Sequence, residues 1–248
     1  MAMPPLATRE RLREARFQDI WSNELNDAFA DIARYYDRAN EIAALGMWSQ
    51  FLERFMRSVD IAPQQKVLDV CAGTNAIGVA LLKREPTLEV QAIDRSAEMQ
   101  AVGQKNAAAL GFTIASTIGD VHTLPFPDNH FDVVTLQFAS RHLRVNEVFS
   151  EILRVLKPGG HFHHSDMLRP RNPVVKNLYY GYLKACLNFT STLVGSGPSA
   201  VKFKQYFIDA LDLFYSAEEL SIMLRDLGFE QVSVDRVFYG MIGFHRAV

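Results

Sequence analysis

Three aspartates stand at or just after the ends of successive apolar runs: Asp69 in VLDVCAGTNAIG, Asp94 in EVQAID and Asp120 in TIASTIGD. In open α/β sheets ligands bind beyond the carboxyl ends of the strands, so acids at those positions face one ligand. Asp94 lies 21 residues after Gly73. At that spacing an acid accepts hydrogen bonds from two ribose hydroxyls. A dinucleotide also brings a pyrophosphate, which wants a GxGxxG turn so that backbone N–H groups and a helix N-terminus face the anion. The turn here reads Gly73-Thr-Asn-Ala-Ile-Gly78 and lacks that pattern. Asp69 beside it would repel a phosphate and attract a cation.

S-adenosylmethionine answers this description. It carries no phosphate, and it has a sulfonium and an ammonium group. It is the expected cofactor, with S-adenosylhomocysteine as its product. Gly73 allows close backbone approach. Asn75 is the non-glycine type most at ease with positive φ, and also a strong N-cap. We expect it to replace a glycine without collapsing the turn. A strand–helix turn of this kind also occurs without a ligand; the three acids in register favour the cofactor.

An alternating pattern must position these groups. KVLDVC, EVQAID, TIASTIGD, FDVVTLQF and HFHHSDM read as five strands, interleaved with helical stretches. The helix SAEMQAVGQKNAAALG ends at Gly111, a natural C-cap, and NEVFSEILRVLKPGG is stopped by Pro158 and two glycines. Nearly unbroken apolar strands argue for a parallel sheet covered on both faces. Residues 6 to 59 have helical spacing, with Gly46 as a break, and APQQ links them to the sheet. Residues 168 to 215 are dense in aromatics, without strand signal, and contain a GSGPS turn at Gly195 to Ser199. Ser216 and Glu219 then form a capping-box pair opening a helix, and EQVSVDRV and YGMIGFHRA close the chain as two strands.

Composition sets outer bounds. The 248 residues suffice for one large α/β domain or two small ones. The formal charge of -2 gives no basic excess for nucleic acid. Cys71 and Cys186 have no CxxC spacing, and reduced thiols suit a cytoplasmic protein. The opening MAMPPLATRERLREARFQDI lacks the apolar region of a secretory signal, and no apolar run reaches the roughly 18 residues of a spanning helix. A soluble protein is expected, still able to touch a membrane surface.

The ordered set VLDVCAGTN, AIDRSAEM, GDVHTLPFPDNHFDVV and EILRVLKPGG resembles the motifs of class I S-adenosylmethionine-dependent methyltransferases. The flanks narrow the resemblance to the ubiquinone/menaquinone biosynthesis C-methyltransferases. FADIARYYDRANEIAALG matches at Phe29, Ile32, Ala33, Tyr36, Asp37 and Asn40, QFASRHL keeps Phe138 and Arg141, and DMLRPRNP and GMIGFHR also fit. The similarity runs from about Phe29 to Arg246. It implies an α/β, Rossmann-like fold: a mostly parallel seven-stranded sheet with helices on both faces, N-terminal helices, and a helical insertion before the last helix. Residues 1–61 would form a helical cap and 62–248 the cofactor-binding domain, with 168–215 inserted as a substrate lid. Gly73 and Thr74 would hold the methionine moiety, Asp94 the ribose, and Asp120 and Val121 the adenine. Met99 would pack near the adenosine, while Asp69, Ala72, Asn75, Arg95 and Gln137 complete the cofactor set. Three departures stand out. The family's glycine is Asn75, its Arg-Asn pair is Arg141-His142, and of its Y-x-Y-L-x-x-S element only Tyr206 is clearly kept.

The resemblance implies methyl transfer to a ring carbon of a demethylated quinol. A neutral aromatic carbon is a poor nucleophile, and a phenolic hydroxyl titrates near roughly 10, so a base or a positive neighbour must help. Arg141 is expected to stabilise the phenolate, and His142 to act as the base. A pairing role for Arg141 and a helix-capping role for His142 compete with that reading. In HFHHSDM, His161 and His163 share one strand face, and His164 and Asp166 the other. No third ligand lies nearby in sequence, and methyl transfer to carbon needs no metal, so none is expected. His164, Asp166, Tyr36 and Tyr206 are candidate substrate contacts. The aromatic segment suits either a plain helical cover or a channel for an isoprenoid tail, and a channel would favour peripheral membrane contact. Methylation of another small molecule at oxygen or nitrogen, and non-catalytic cofactor binding, remain rivals. The sequence leaves the quinone type, and the choice between monomer and homodimer, open.

Overall fold

The computed structural model describes residues 4–44, 46–193 and 198–248. Four helices open the chain: α1 (Leu6–Asp19), α2 (Leu25–Ile32), α3 (Tyr36–Ala43) and α4 (Trp48–Ser58). A π-helical stretch, Ile20–Glu24, and a 3-10 turn, Ala33–Tyr35, re-aim the first three. Then β1 (Lys66–Val70), β2 (Glu89–Asp94), β3 (Ala115–Ile118) and β4 (Phe131–Gln137) alternate with α5 (Ala76–Arg84) and α6 (Ala97–Ala108). After α7 (Val145–Val155) and β5 (Leu156–Met167) come α8 (Pro173–Leu193), α9 (Pro198–Leu213) and α10 (Ala217–Asp226). The hairpin of β6 (Ser233–Val237) and β7 (Ile242–Ala247) ends the fold.

The seven strands lie in the order β3-β2-β1-β4-β5-β7-β6, parallel except for β7, which runs against both its neighbours. Side chains alternate across the sheet. Leu68, Val70, Val134 and Leu136 pack on Val148, Phe149 and Ile152 of α7 and on Leu220 and Leu224 of α10. On the other face, Val67, Val90 and Val133 meet Phe55 of α4 and Ile77 and Leu81 of α5. Both faces are covered, which is why the strands read as unbroken apolar runs. The N-terminal and inserted helices make a cover with its own small cores. Phe17, Trp21 and Leu25 pack on Tyr206 and Ala210, and Tyr179, Tyr180 and Leu183 pack on Ile208 and Leu211.

Two boundaries differ from the pattern reading. Helix α7 ends at Val155, and Lys157, Pro158, Gly159 and Gly160 already belong to β5. Pro158 cannot continue a helix, and here it enters a strand whose register against β4 shifts between Phe131 and Val133. The expected GSGPS turn lies outside the described residues as far as Gly197, and Pro198 and Ser199 open α9. Among the described residues, no helix is long and apolar enough to cross a membrane.

Candidate active site

Strand register decides which acids meet. Asp69 pairs with Thr135 across β1 and β4, and its Oδ1 accepts the Thr135 hydroxyl at 2.7 Å. Its Oδ2 is buried without a partner, and burial pushes the carboxyl up to about 7. Asp94 closes β2. Its two oxygens accept the N–H groups of Gly73 and Ser96, each at 2.8 Å. Burial still raises its pKa above the ordinary carboxylate value. The turn between β1 and α5 is left-handed at Cys71 (φ 55°), Gly73 (φ 53°) and Asn75 (φ 59°). A Cβ on Gly73 would stand 3.3 Å from the Met99 side chain, so the glycine keeps the cradle open.

These residues line two adjoining pockets. One is bounded by Asp69, Cys71, Ala72, Gly73, Thr74 and Gln137. The other is bounded by Gly73, Asp94, Arg95, Met99, Asp120, Val121 and Gln137. The buried Gln137 Nε2 also has no partner. An orphaned acceptor on Asp69 and an orphaned donor on Gln137 suit the ammonium and carboxylate of an α-amino acid. Asp94, anchored by two backbone N–H groups, suits a ribose diol. The donor set therefore fits S-adenosylmethionine. Asp120 is engaged by the His122 N–H and ring; burial raises its carboxyl, and those bonds outweigh it and hold it below the usual value.

Asn75 takes the positive φ its type allows, but it neither lines these pockets nor caps α5 with its side chain. It turns toward α6, where its Oδ1 accepts from Gln100 at 3.0 Å.

Arg141 sits on a 3-10 turn, Ser140–His142, after β4. Its Nη1 donates to Phe138 O at 2.7 Å and to Asp166 Oδ1 at 2.5 Å, and its buried Nε has no partner. Arg13 of α1 fixes that turn from behind by donating to the Arg141 and Leu143 carbonyls, both at 3.1 Å.

His142, the expected base, is packed among aromatic rings. The Tyr206 hydroxyl accepts from Trp21 Nε1 at 2.9 Å and lies 2.5 Å from His142 Nδ1. Burial, with Arg141 and Arg13 nearby, holds His142 well below its ordinary pKa, so the ring is neutral. The ring borders the cofactor pocket. His164 and Asp166, expected to touch substrate, lie on β5 beside the 3-10 turn. Both are fully buried. Ser140 Oγ lies 2.6 Å from Asp166 and 2.8 Å from His164, so these side chains brace the turn and do not reach a cavity. Tyr206 likewise faces His142 and Trp21.

Beyond Arg141 opens a cavity of about 460 Å³, roofed by α8 and α9 and walled by α3, α4 and the β6–β7 turn. Tyr36 and Phe138 border this cavity and both cofactor pockets, so they stand where the spaces meet. Phe138 holds φ at 54° and lies against Trp48, ring centroids 4.8 Å apart. Left-handed backbone at an aromatic residue is strained, and such strain concentrates at functional sites. Residue type gives no sign of it. Trp48 and Arg13 were equally silent, one a helix aromatic and the other an ordinary helix arginine.

The fold and cradle define an S-adenosylmethionine-dependent methyltransferase. A solved structure of Haemonchus contortus phosphoethanolamine N-methyltransferase 2 with S-adenosyl-L-methionine superposes with a TM-score of 0.59 at 17% identity, covering 82% of this chain and 53% of that one. Within that class, residues 17–248 match the model of the ubiE/COQ5 methyltransferase family, and the chain belongs to that family. The ubiquinone/menaquinone biosynthesis C-methyltransferase UbiE of Rickettsia rickettsii (strain Sheila Smith) is 28% identical, over 90% of this chain and 91% of the relative. The demethylmenaquinone methyltransferase of Paenarthrobacter aurescens (strain TC1) is 30% identical, over 91% and 86%.

Proposed function

We propose that the enzyme methylates a ring carbon of a demethylated quinol bearing an apolar chain. The observation that carries this reading is the wall of the large cavity. Among the described residues its one charged side chain is Arg141; the rest is aromatic and aliphatic, with a few neutral polar groups. Arg141 Nε and the Tyr179 hydroxyl are buried in that wall without partners. Buried donors without acceptors are costly, by about 1–3 kcal/mol each. Ring oxygens of a quinol would satisfy them, and an isoprenoid tail would fill the apolar remainder.

S-adenosylmethionine supplies an electrophilic methyl group when bound in the cradle. The chain's own part is to present a nucleophilic carbon to it. Arg141 favours the phenolate over the phenol, which moves electron density to the ortho carbon. Asp166 fixes the guanidinium from its buried side, and Tyr36 and Phe138 shape the passage between cavity and cradle. Holding ring and cofactor together provides much of the acceleration.

The test is an assay with reduced demethylmenaquinone-like and demethylubiquinone-like substrates, with the product assigned by NMR. A carbon-bound methyl supports the reading, and an O-methyl product, or none, overturns it. Arg141→Gln is expected to lower kcat/KM by about 10²–10³. Cofactor affinity should be unchanged, because Arg141 borders the cavity and not the cradle.

A further inference from the structure

The HFHHSDM strand carries two histidines that the methyltransferase site does not use. His161 and His163 share one face of β5, their rings stacked with centroids 6.2 Å apart. The sequence offers no third ligand near them, but the fold does. The segment after α4 brings Asp60 alongside, and one ligand atom from each of Asp60, His161 and His163 lies within 4.8 Å of the others. None of the three lines the substrate cavity or the cofactor pockets.

A positive group already occupies this place. Arg246, the register partner of His163 on β7, donates from Nε to Asp60 Oδ2 at 2.7 Å, and its Nη2 lies 2.9 Å from His161 Nδ1. Its guanidinium spans two of the three groups. His163 is fully buried, its Nδ1 has no partner, and its Nε2 receives only a long contact of 3.4 Å from the Asp60 N–H. A buried imidazole left so poorly satisfied calls for a ligand.

We propose that Asp60, His161 and His163 bind a late first-row divalent cation of the zinc class, in exchange for the Arg246 guanidinium. Two imidazoles and a carboxylate, with water in a fourth position, are a recognised zinc ligand set, and imidazole ligands favour zinc, copper and nickel over magnesium or calcium. Arg246 is long and partly exposed, its side chain 29% accessible, so it can swing into solvent. Arg84 also places positive charge near His163, and two arginines so close make the site exchangeable rather than permanent. The bound ion would tie the segment between α4 and β1 to the β5–β7 pair, at a distance from the chemistry.

The test uses the full chain, stripped with a chelator and titrated with Co²⁺ as a spectroscopic probe, followed by displacement with Zn²⁺. We expect one equivalent of Co²⁺ with visible ligand-field absorption, bleached by Zn²⁺, and a Zn²⁺-dependent rise in Tm. His161→Gln and Asp60→Asn should each weaken binding by more than about tenfold. Arg246→Ala should tighten it, because the competitor is gone. S-adenosylmethionine affinity, measured in parallel, should not move and reports an intact fold. Absence of stoichiometric binding in both wild type and Arg246→Ala overturns the proposal. So does binding that survives the His161 and Asp60 substitutions, or that weakens in Arg246→Ala while the fold is intact.

Discussion

Asp69 is the residue we propose to select the cofactor, and its chemistry is measurable. Burial lifts its carboxyl to about 7, with the Thr135 hydroxyl opposing. A cationic ligand favours the ionised form, so binding at acid pH must first remove a proton. Cofactor affinity is therefore expected to fall about tenfold per pH unit below about 7. Calorimetry in buffers of different ionisation enthalpy should show matching proton release. Asp69→Asn should weaken binding and abolish the pH dependence. The same group acts on stability with the sign of a raised carboxylate: the folded state holds the proton more tightly than the unfolded chain. Its contribution is full below about pH 4 and is lost as pH rises through about 7. Asp69→Asn should accordingly raise Tm at pH 8 relative to wild type, and do so less at pH 5. Equal changes at both pH values would mean that Asp69 is not held protonated. His142 makes a contrasting case. Its ring is bonded to Tyr206 and borders the cofactor pocket, so His142→Asn is expected to change cofactor affinity and leave the alkaline limb of the pH–rate profile in place. Loss of that limb would restore His142 as the base. That Asp69, Gly73 and Asp94 gather at adjoining pockets was legible, because strand ends in an open α/β sheet meet at one cleft. The bonds that His164 and Tyr206 make were not legible, because whether a buried polar side chain turns to a cavity or to a neighbouring side chain is decided by tertiary packing that no local pattern records.

At the scale of elements, the fold depends on how α1 is attached to the α/β core. Ser216 and Glu219 form the capping box of α10. Glu219 also accepts two hydrogen bonds from Arg9 of α1, at 2.7 and 2.9 Å, and one from Arg169 at 2.7 Å. Burial raises this carboxyl, but the bonds from Arg9, Ser216 and Arg169 outweigh it and hold it below the usual glutamate value. One side chain thus joins a helix start, the N-terminal helix and the segment leading into α8. Glu219→Ala would leave Arg9, which is 2% exposed, without its carboxylate. Stranding a buried charge costs about 3–5 kcal/mol, while Ser216→Ala should cost only about 1 kcal/mol. Urea denaturation separates the two, and similar costs would mean that Glu219 serves only as a cap. Arg13, one turn further along α1, holds the carbonyls around Arg141. Glu219→Ala should therefore lower kcat more than cofactor affinity. The capping box was readable from Ser216 and Glu219, and the strand–helix alternation from periodicity. The docking of α1 was not, because Arg9 and Arg13 look like exposed helix arginines until 210 and 128 residues of chain fold back upon them.

The molecule as a whole carries an unusual load of buried neutral histidine. His142 and His164 are held well below their ordinary pKa by burial, His163 is lowered to about 3 and His245 to about 4. Each is neutral in the folded protein at pH 6, while in the unfolded chain each titrates near roughly 6.5. The sign follows from linkage: the unfolded state binds the extra protons, so stability is complete above about 6.5 and is lost as pH falls toward the folded values. Four such groups give a limiting slope of about 5 kcal/mol per pH unit. Asp69, Asp94 and Asp37, whose carboxyls burial raises, work in the opposite direction over part of that range and offset some of that slope. A domain of ordinary stability, about 5–15 kcal/mol, cannot withstand that slope for more than a few pH units. Cooperative unfolding is therefore expected between about pH 6 and pH 4, earlier than carboxylate protonation alone would bring it. Denaturant titrations from pH 8 to pH 4 check this, and stability that stays flat to pH 4.5 would show that the histidines open to solvent without unfolding. Saturating S-adenosylmethionine should move the acid midpoint downward, because it binds only the folded form. That shift should shrink as Asp69 is protonated. The buried carboxylate of Asp69 and the buried imidazoles that brace the fold are therefore expected to weaken the enzyme together in acid, one through cofactor binding and the others through unfolding.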